Sequence, residues 1–124
     1  MQQKILVVDD EPNIVISLEY LLKREGYTVV IARDGEEALE AITRELPDLI
    51  LLDVMMPKKN GFEVCQAVRA NDALQGVKIL MLTAKGRDID VAKGMALGAD
   101  AYMTKPFATR DLVQKVSELL GQLQ

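Results

Sequence analysis

DLILLDVMMPKKNGFEV, residues 48–64, sets four consecutive apolar residues, Leu49 to Leu52, directly against a carboxylate, Asp53. An apolar run that does not alternate with polar residues is the pattern of a strand buried on both faces, as in a parallel sheet. Asp53 then precedes Val54-Met55-Met56-Pro57, a poor place for an unpaired charge. Asn60 and Glu63 have the spacing of an N-cap and its N3 carboxylate, so a helix starts near residue 61. Strand, carboxylate, loop and helix succeed one another within these 17 residues, which is one βα unit.

The same unit recurs on both sides. Ile5–Val8, Thr28–Ala32, Val77–Leu82 and Ala101–Thr104 are further strand-like runs. Ile14, Leu18, Leu21 and Leu22 share one helical face, as do Leu112, Val113, Val116, Leu119, Leu120 and Leu123. Asp34 with Glu37 repeats the N-cap spacing, and Gly26 and Gly98 stand where C-terminal caps belong. The expected strands cover 4–9, 28–32, 48–53, 77–83 and 101–104, and the expected helices cover 12–25, 35–44, 61–71, 88–97 and 109–122. Right-handed crossovers then predict an open, doubly wound α/β sandwich around a five-stranded parallel sheet, with ligand chemistry at the carboxyl ends of the strands.

Composition bounds the function. The chain has 124 residues, enough for one domain, and 49% apolar with 27% charged residues is the balance of a globular core. A net charge of −4 disfavours binding to a nucleic-acid backbone as the main task. One cysteine, Cys65, permits no intrachain disulfide, and it reads as a small buried hydrophobe on a helix. Zero histidines exclude Ser-His and Cys-His chemistry and any phosphohistidine on this chain. The N-terminal apolar run of four residues, Ile5–Val8, is far short of a signal or membrane segment, so a cytoplasmic location without membrane contact is expected.

The informative residues stand just beyond the strands. The first strand ends in Asp9-Asp10-Glu11, the third in Asp53, the fourth in Thr83 and the fifth in Lys105-Pro106. Singly, an acidic pair is commonly a solvated loop, a threonine a turn residue and a lysine a surface charge. Together they lie on one edge of a parallel sheet. Clustered carboxylates repel one another unless a cation compensates. A hard divalent ion with oxygen ligands, Mg2+ above all, answers that need and keeps positions open for phosphate oxygens.

These residues carry a resemblance. ILVVDDEP (5–12), DLILLDVMMPKKNGFEV (48–64), KILMLTAKG (78–86) and GADAYMTKPF (98–107) stand in the order and approximate spacing of the receiver domain of two-component response regulators, and the likeness runs essentially end to end. It implies a single receiver domain over 1–124, a flavodoxin-like strand order 2-1-3-4-5, and a phosphorylation-dependent signalling switch. It implies Asp53 as phosphoryl acceptor and Asp9, Asp10, Asp53 and the Met55 carbonyl as holders of Mg2+, Asp9 through water. Lys105 is similar to the lysine that pairs with phosphoryl oxygens, Thr83 to the hydroxyl that moves to contact them, and Tyr102 to the switch aromatic; the Lys105-Pro106 bond would be cis. The implied donor is a sensor histidine kinase or histidine phosphotransfer protein, with slow self-dephosphorylation and a downstream output protein or domain as reader.

Some positions depart from the family pattern. Met55 and Lys85 border the path of the attacking water in the family and cannot orient it as a carboxylate or amide would, which implies a long-lived phosphoryl group. Lys93, Asp100, Asp111 and Lys115 fit the charged pairs through which receivers of winged-helix regulators dimerise, but Val91 and Ala101 replace a basic and an acidic residue, so a monomer or a weak phosphorylation-dependent dimer is expected. Phe107, Leu112 and the methionines read as core. Two other classes fit less well. A haloacid-dehalogenase-type phosphatase wants DxDx[TV] after the first strand, where this chain has Asp9-Asp10-Glu11-Pro12. A flavin carrier wants a Ser/Thr/Gly-rich phosphate loop where two aspartates stand.

Overall fold

The computed structural model describes residues 2–56, 60–84 and 86–121. The chain alternates strictly: β1 (Lys4–Val8), α1 (Pro12–Arg24), β2 (Thr28–Ala32), α2 (Gly35–Glu45), β3 (Leu49–Asp53), α3 (Gly61–Ala70), β4 (Lys78–Ala84), α4 (Asp88–Ala96), β5 (Ala101–Lys105) and α5 (Thr109–Leu119). All neighbouring strands are parallel and their order is β2-β1-β3-β4-β5. This is the flavodoxin-like arrangement, with helices on both faces.

The pleat explains the layers. In β1, β3 and β4, Leu6, Val8, Ile50, Leu52, Ile79 and Met81 point into one core with Ala38, Ala41 and Ile42 of α2 and Val64, Cys65 and Val68 of α3. Ile5, Val7, Leu49, Leu51, Leu80 and Leu82 point to the other side, against Leu18, Leu21 and Leu22 of α1 and Leu112 and Val116 of α5. Alternate residues of a strand face opposite ways, so an unbroken apolar run supplies both layers. The expectation of burial on both faces fails at the edges. β2 and β5 are mostly half-buried, because each has one flanking strand rather than two.

Helix ends obey the expected chemistry with two exceptions. Asn60 and Glu63 form a reciprocal capping box, and Asp34 accepts from the Glu37 amide at 2.9 Å. The Glu37 side chain, however, takes the Arg33 amide at 3.2 Å instead of closing a box on Asp34. Gly26 and Gly98 succeed the ends of α1 and α4 with positive φ. α2 has no glycine at its end, and Leu46, ahead of Pro47, takes φ 48° instead. A 3-10 turn at Asp72–Leu74 was not anticipated, and Leu74 seals the core below α3. The Lys105-Pro106 bond is cis. α5 ends at Leu119, short of the expected 122, because the chain turns at Leu120 and Gly121, where Gly121 has positive φ and its amide closes on the Glu118 carbonyl at 3.1 Å. Lys85, Pro57, Gln122 and Leu123 lie outside the described residues.

Not every residue expected in the core is there. Met55 and Met95 are 66% and 42% exposed. Met55 lies in the loop after β3, where no helix covers it, and Met95 is on the outer side of α4. Leu112 is fully buried, and Phe107 packs only partly buried at the core's rim. Cys65 is buried, its thiol is pushed up by burial, and it faces the Leu97 carbonyl at 3.8 Å.

Candidate functional site

Parallel strands of matched register bring their carboxyl ends to one edge, and four of the five end in chemistry there. β1 runs out at Val8, so Asp9 is the first residue beyond it, and its amide continues the pairing by donating to the Ala32 carbonyl at 3.2 Å. Asp53 is the last residue of β3, and it pairs in register with Leu82, one residue before Thr83. Lys105 ends β5 opposite Ala84.

The side chains converge on the Lys105 ammonium. Its Nζ lies 2.8 Å from Asp9 Oδ2, 3.5 Å from Asp53 Oδ1 and 3.9 Å from Glu11 Oε1. Asp9 is fully buried, and its other oxygen, Oδ1, accepts the Glu11 amide at 3.0 Å. The Met55 amide donates to Asp53 Oδ1 at 3.3 Å, so the loop after β3 folds back on the carboxylate that precedes it. Asp9, Asp10 and Asp53 each offer one oxygen, all within 4.8 Å of one another, Asp10 from the exposed side.

Charge and burial are out of balance here. Burial first, and the Asp9 charge second, push the Asp53 carboxyl up to about 6 against the opposing pull of Lys105. Burial disfavours the Lys105 ammonium, but its hydrogen bond to Asp9 and the charges of Asp53, Asp9 and Glu11 outweigh that and raise it. One ammonium faces two aspartates and a glutamate, with the exposed Asp10 adding a further carboxylate beside Asp9 and Asp53. The donor set is hard oxygen throughout and gathered within 4.8 Å, which is the chemistry that suits a hard divalent cation such as Mg2+.

The structure brings together Asp9, Asp10, Asp53, Met55 and Lys105 of the expected residues. It holds Thr83 close by but turned aside: Thr83 is buried, and its hydroxyl donates to the Met103 carbonyl at 3.4 Å on β5. Tyr102 is half exposed on the neighbouring strand. Sequence reasoning assigned no role to Glu11, which approaches Lys105; its place directly after the aspartate pair was the available signal. It also missed the Arg87–Asp90 fork, with contacts of 2.8 and 3.3 Å in the first turn of α4, although their spacing of three on a helix is a salt-bridge pattern.

A doubly wound α/β domain whose strand ends gather carboxylates around one lysine defines a class of flavodoxin-like proteins with an acidic site at the sheet edge. Residues 5–117 match the model of the response regulator receiver domain, and the chain belongs to that family. It is 52% identical over 120 residues to the alkaline phosphatase synthesis transcriptional regulatory protein PhoP of Bacillus subtilis (strain 168), an alignment that covers 97% of this chain and 49% of that protein. The chain thus spans about half the length of that curated relative. A response regulator of Chloroflexus aurantiacus J-10-fl superposes with a TM-score of 0.94 at 37% identity, covering 98% of this chain and 99% of the other. The receiver domain of the sensor histidine kinase PA1611 from Pseudomonas aeruginosa PAO1, solved with a magnesium ion coordinated in its active-site cleft, superposes with a TM-score of 0.89 at 30% identity over 98% and 99% of the two chains. The phosphatase and flavin-carrier readings end here.

Proposed function

We propose that Asp53 accepts a phosphoryl group from a phosphohistidine of a sensor histidine kinase or phosphotransfer protein. The observation that carries this reading is the placement of Asp53, nearly buried, beside the Lys105 ammonium and the Asp9–Asp10 pair. An Asp53 carboxylate oxygen attacks phosphorus, the P–N bond breaks, and its electron pair returns to the partner's imidazole. The partner must bring that histidine, since this chain has none.

Phosphoryl transfer asks for in-line positioning and neutralisation of equatorial oxygens more than for covalent help. Lys105, already 3.5 Å from Asp53, needs little movement to pair with one of them. Asp9, Asp10, Asp53 and the Met55 carbonyl would hold Mg2+, which supplies positive charge to the phosphoryl oxygens when bound. The Thr83 hydroxyl leaves the Met103 carbonyl for the phosphoryl group. Vacating that position favours an inward Tyr102 and alters the face made by α4, β5 and α5, which an output partner or domain reads. The Bacillus subtilis relative is a transcriptional regulator, and residues 1–124 are proposed to be one receiver domain serving such an output without touching DNA themselves. No described helix is long and apolar enough to cross a membrane, and a cytoplasmic location suits a partner of this kind.

Incubation with acetyl phosphate and Mg2+ tests the assignment by mass spectrometry. The expected result is a gain of one phosphoryl group that needs Mg2+ and is lost in Asp53→Asn. Uptake by Asp53→Asn at the wild-type rate would place the acceptor elsewhere.

A further inference from the structure

Gly61 opens α3, and its surroundings leave no room for a side chain. A Cβ at that position would lie 2.5 Å from the Asp53 carbonyl oxygen, 2.9 Å from the Val54 Cα and 3.1 Å from the Asp53 carbonyl carbon. All three are backbone atoms, so no side-chain rotation relieves the overlap. Gly94 makes the contrast: its Cβ would meet the flexible end of Met81 at 3.2 Å. Gly61 is also tied where it stands, since its amide donates to the Val54 carbonyl at 3.0 Å.

The helix cannot retreat to make room. Asn60 and Glu63 lock its first turn with a reciprocal box, 3.0 Å in each direction. Phe62, Val64, Cys65 and Val68 are buried and fix its depth against the sheet. β3 is held on both sides by β1 and β4, and its four apolar residues are completely buried. The backbone atoms that a Cβ would meet belong to Asp53 and Val54, the stretch that carries the acceptor carboxylate and leads into the Met55 amide bound to it.

We propose that Gly61 is a positioning residue for the acceptor site: the absence of a side chain lets α3 seat directly on the Asp53 carbonyl and so fixes the Asp53 carboxylate and the Met55 backbone in the geometry that holds Mg2+. This rests on the reading of Asp53 as a metal-binding phosphoacceptor. The requirement is steric rather than torsional, because Gly61 is not among the glycines with positive φ.

Mg2+ titration monitored by NMR tests it, with acetyl phosphate uptake on the same samples. In Gly61→Ala the Mg2+ dissociation constant is expected to rise at least tenfold, and the Met55 amide signal is expected to shift before any metal is added. Gly94→Ala, a comparable insertion remote from the loop, is expected to keep the wild-type affinity within about twofold and the wild-type Met55 signal. A merely structural role for Gly61 would lower the melting temperature in both variants without separating their Mg2+ affinities. Asn60→Ala keeps the glycine and loosens the first turn of α3, and should weaken Mg2+ severalfold; this arm decides the matter if Gly61→Ala does not fold. Wild-type Mg2+ binding in Gly61→Ala, or in Asn60→Ala where the first variant is unfolded, overturns the positioning role alone. A wild-type chain that neither binds Mg2+ nor takes up phosphoryl overturns the acceptor reading and the positioning role together.

Discussion

Burial and the neighbouring Asp9 charge lift the Asp53 carboxyl from 3.8 to about 6, so the folded chain binds that proton more tightly than the unfolded chain does. Below pH about 4 both states are protonated and nothing is lost; as pH rises through the window from about 4 to about 6 the folded state loses ground, and above it the full deficit remains. The metal-free Asp53→Asn variant is therefore expected to be more stable than wild type at pH 7.5 by about 1 to 3 kcal/mol, and equal to it near pH 3.5. Thermal melts at the two pH values check this, and Mg2+ should narrow the gap by stabilising wild type alone. A variant less stable at pH 7.5 would mean that the Lys105 contact outweighs the burial. Asp9, Asp10, Asp53 and Lys105 were legible in the sequence because a parallel sheet aligns strand ends. The turn of Thr83 toward Met103 and the approach of Glu11 to Lys105 were not, since rotamers answer to neighbours in space that spacing does not name.

Elements were legible wherever one local signal had one structural meaning. Asn60 and Glu63 announced the start of α3, and unbroken apolar runs announced β1 and β3. The end of α2 shows the opposite case. Pro47 stops the helix, the chain must turn there, and Leu46 takes a left-handed conformation that a Cβ disfavours, with its side chain 65% exposed and its amide closing on the Ile42 carbonyl at 3.0 Å. No pattern of residue types announces a leucine in that role. Glycine relieves the strain but adds entropy to the unfolded chain, and the two effects partly offset. Leu46→Gly is expected to raise stability by about 0.5 to 1 kcal/mol, read as a higher denaturant midpoint at unchanged slope. A loss of stability would show that the exposed leucine makes a contact worth more than the torsional relief. The 3-10 turn after α3 escaped for a related reason: three residues carry too little periodicity to separate a turn from a loop.

At the scale of the whole molecule the sheet divides the work. One edge holds Asp53, the proposed acceptor, and the face of α4, β5 and α5 is the proposed read-out surface. Four charged residues on or near that face matched a dimerisation pattern, yet the structure engages three of them within the chain. Asp100 accepts from Arg69 at 2.8 Å and from the Ile79 amide at 2.8 Å. Lys93 sits over the Phe62 ring at 4.5 Å, and Lys115 lies 3.5 Å from Glu118. Each would have to exchange an internal partner for one on another chain, and exposed pairs contribute only about 0 to 1 kcal/mol to begin with. Two partners are missing outright, since Val91 and Ala101 carry no charge. Phosphorylation turns the Asp53 carboxylate, already counted in the net charge of −4, into an acyl phosphate of about −2, a change of only about −1 that a bound Mg2+ offsets, so net charge does not drive two copies together. The expected outcome is a monomer without phosphate and at most a weak dimer with it, the exposed Tyr102 and Ile89 then being open to a different protein. Light scattering at micromolar concentration, with and without beryllofluoride and Mg2+, measures this directly. A tight dimer in either state would show that apolar contacts on this face, rather than the charged pairs, carry the association.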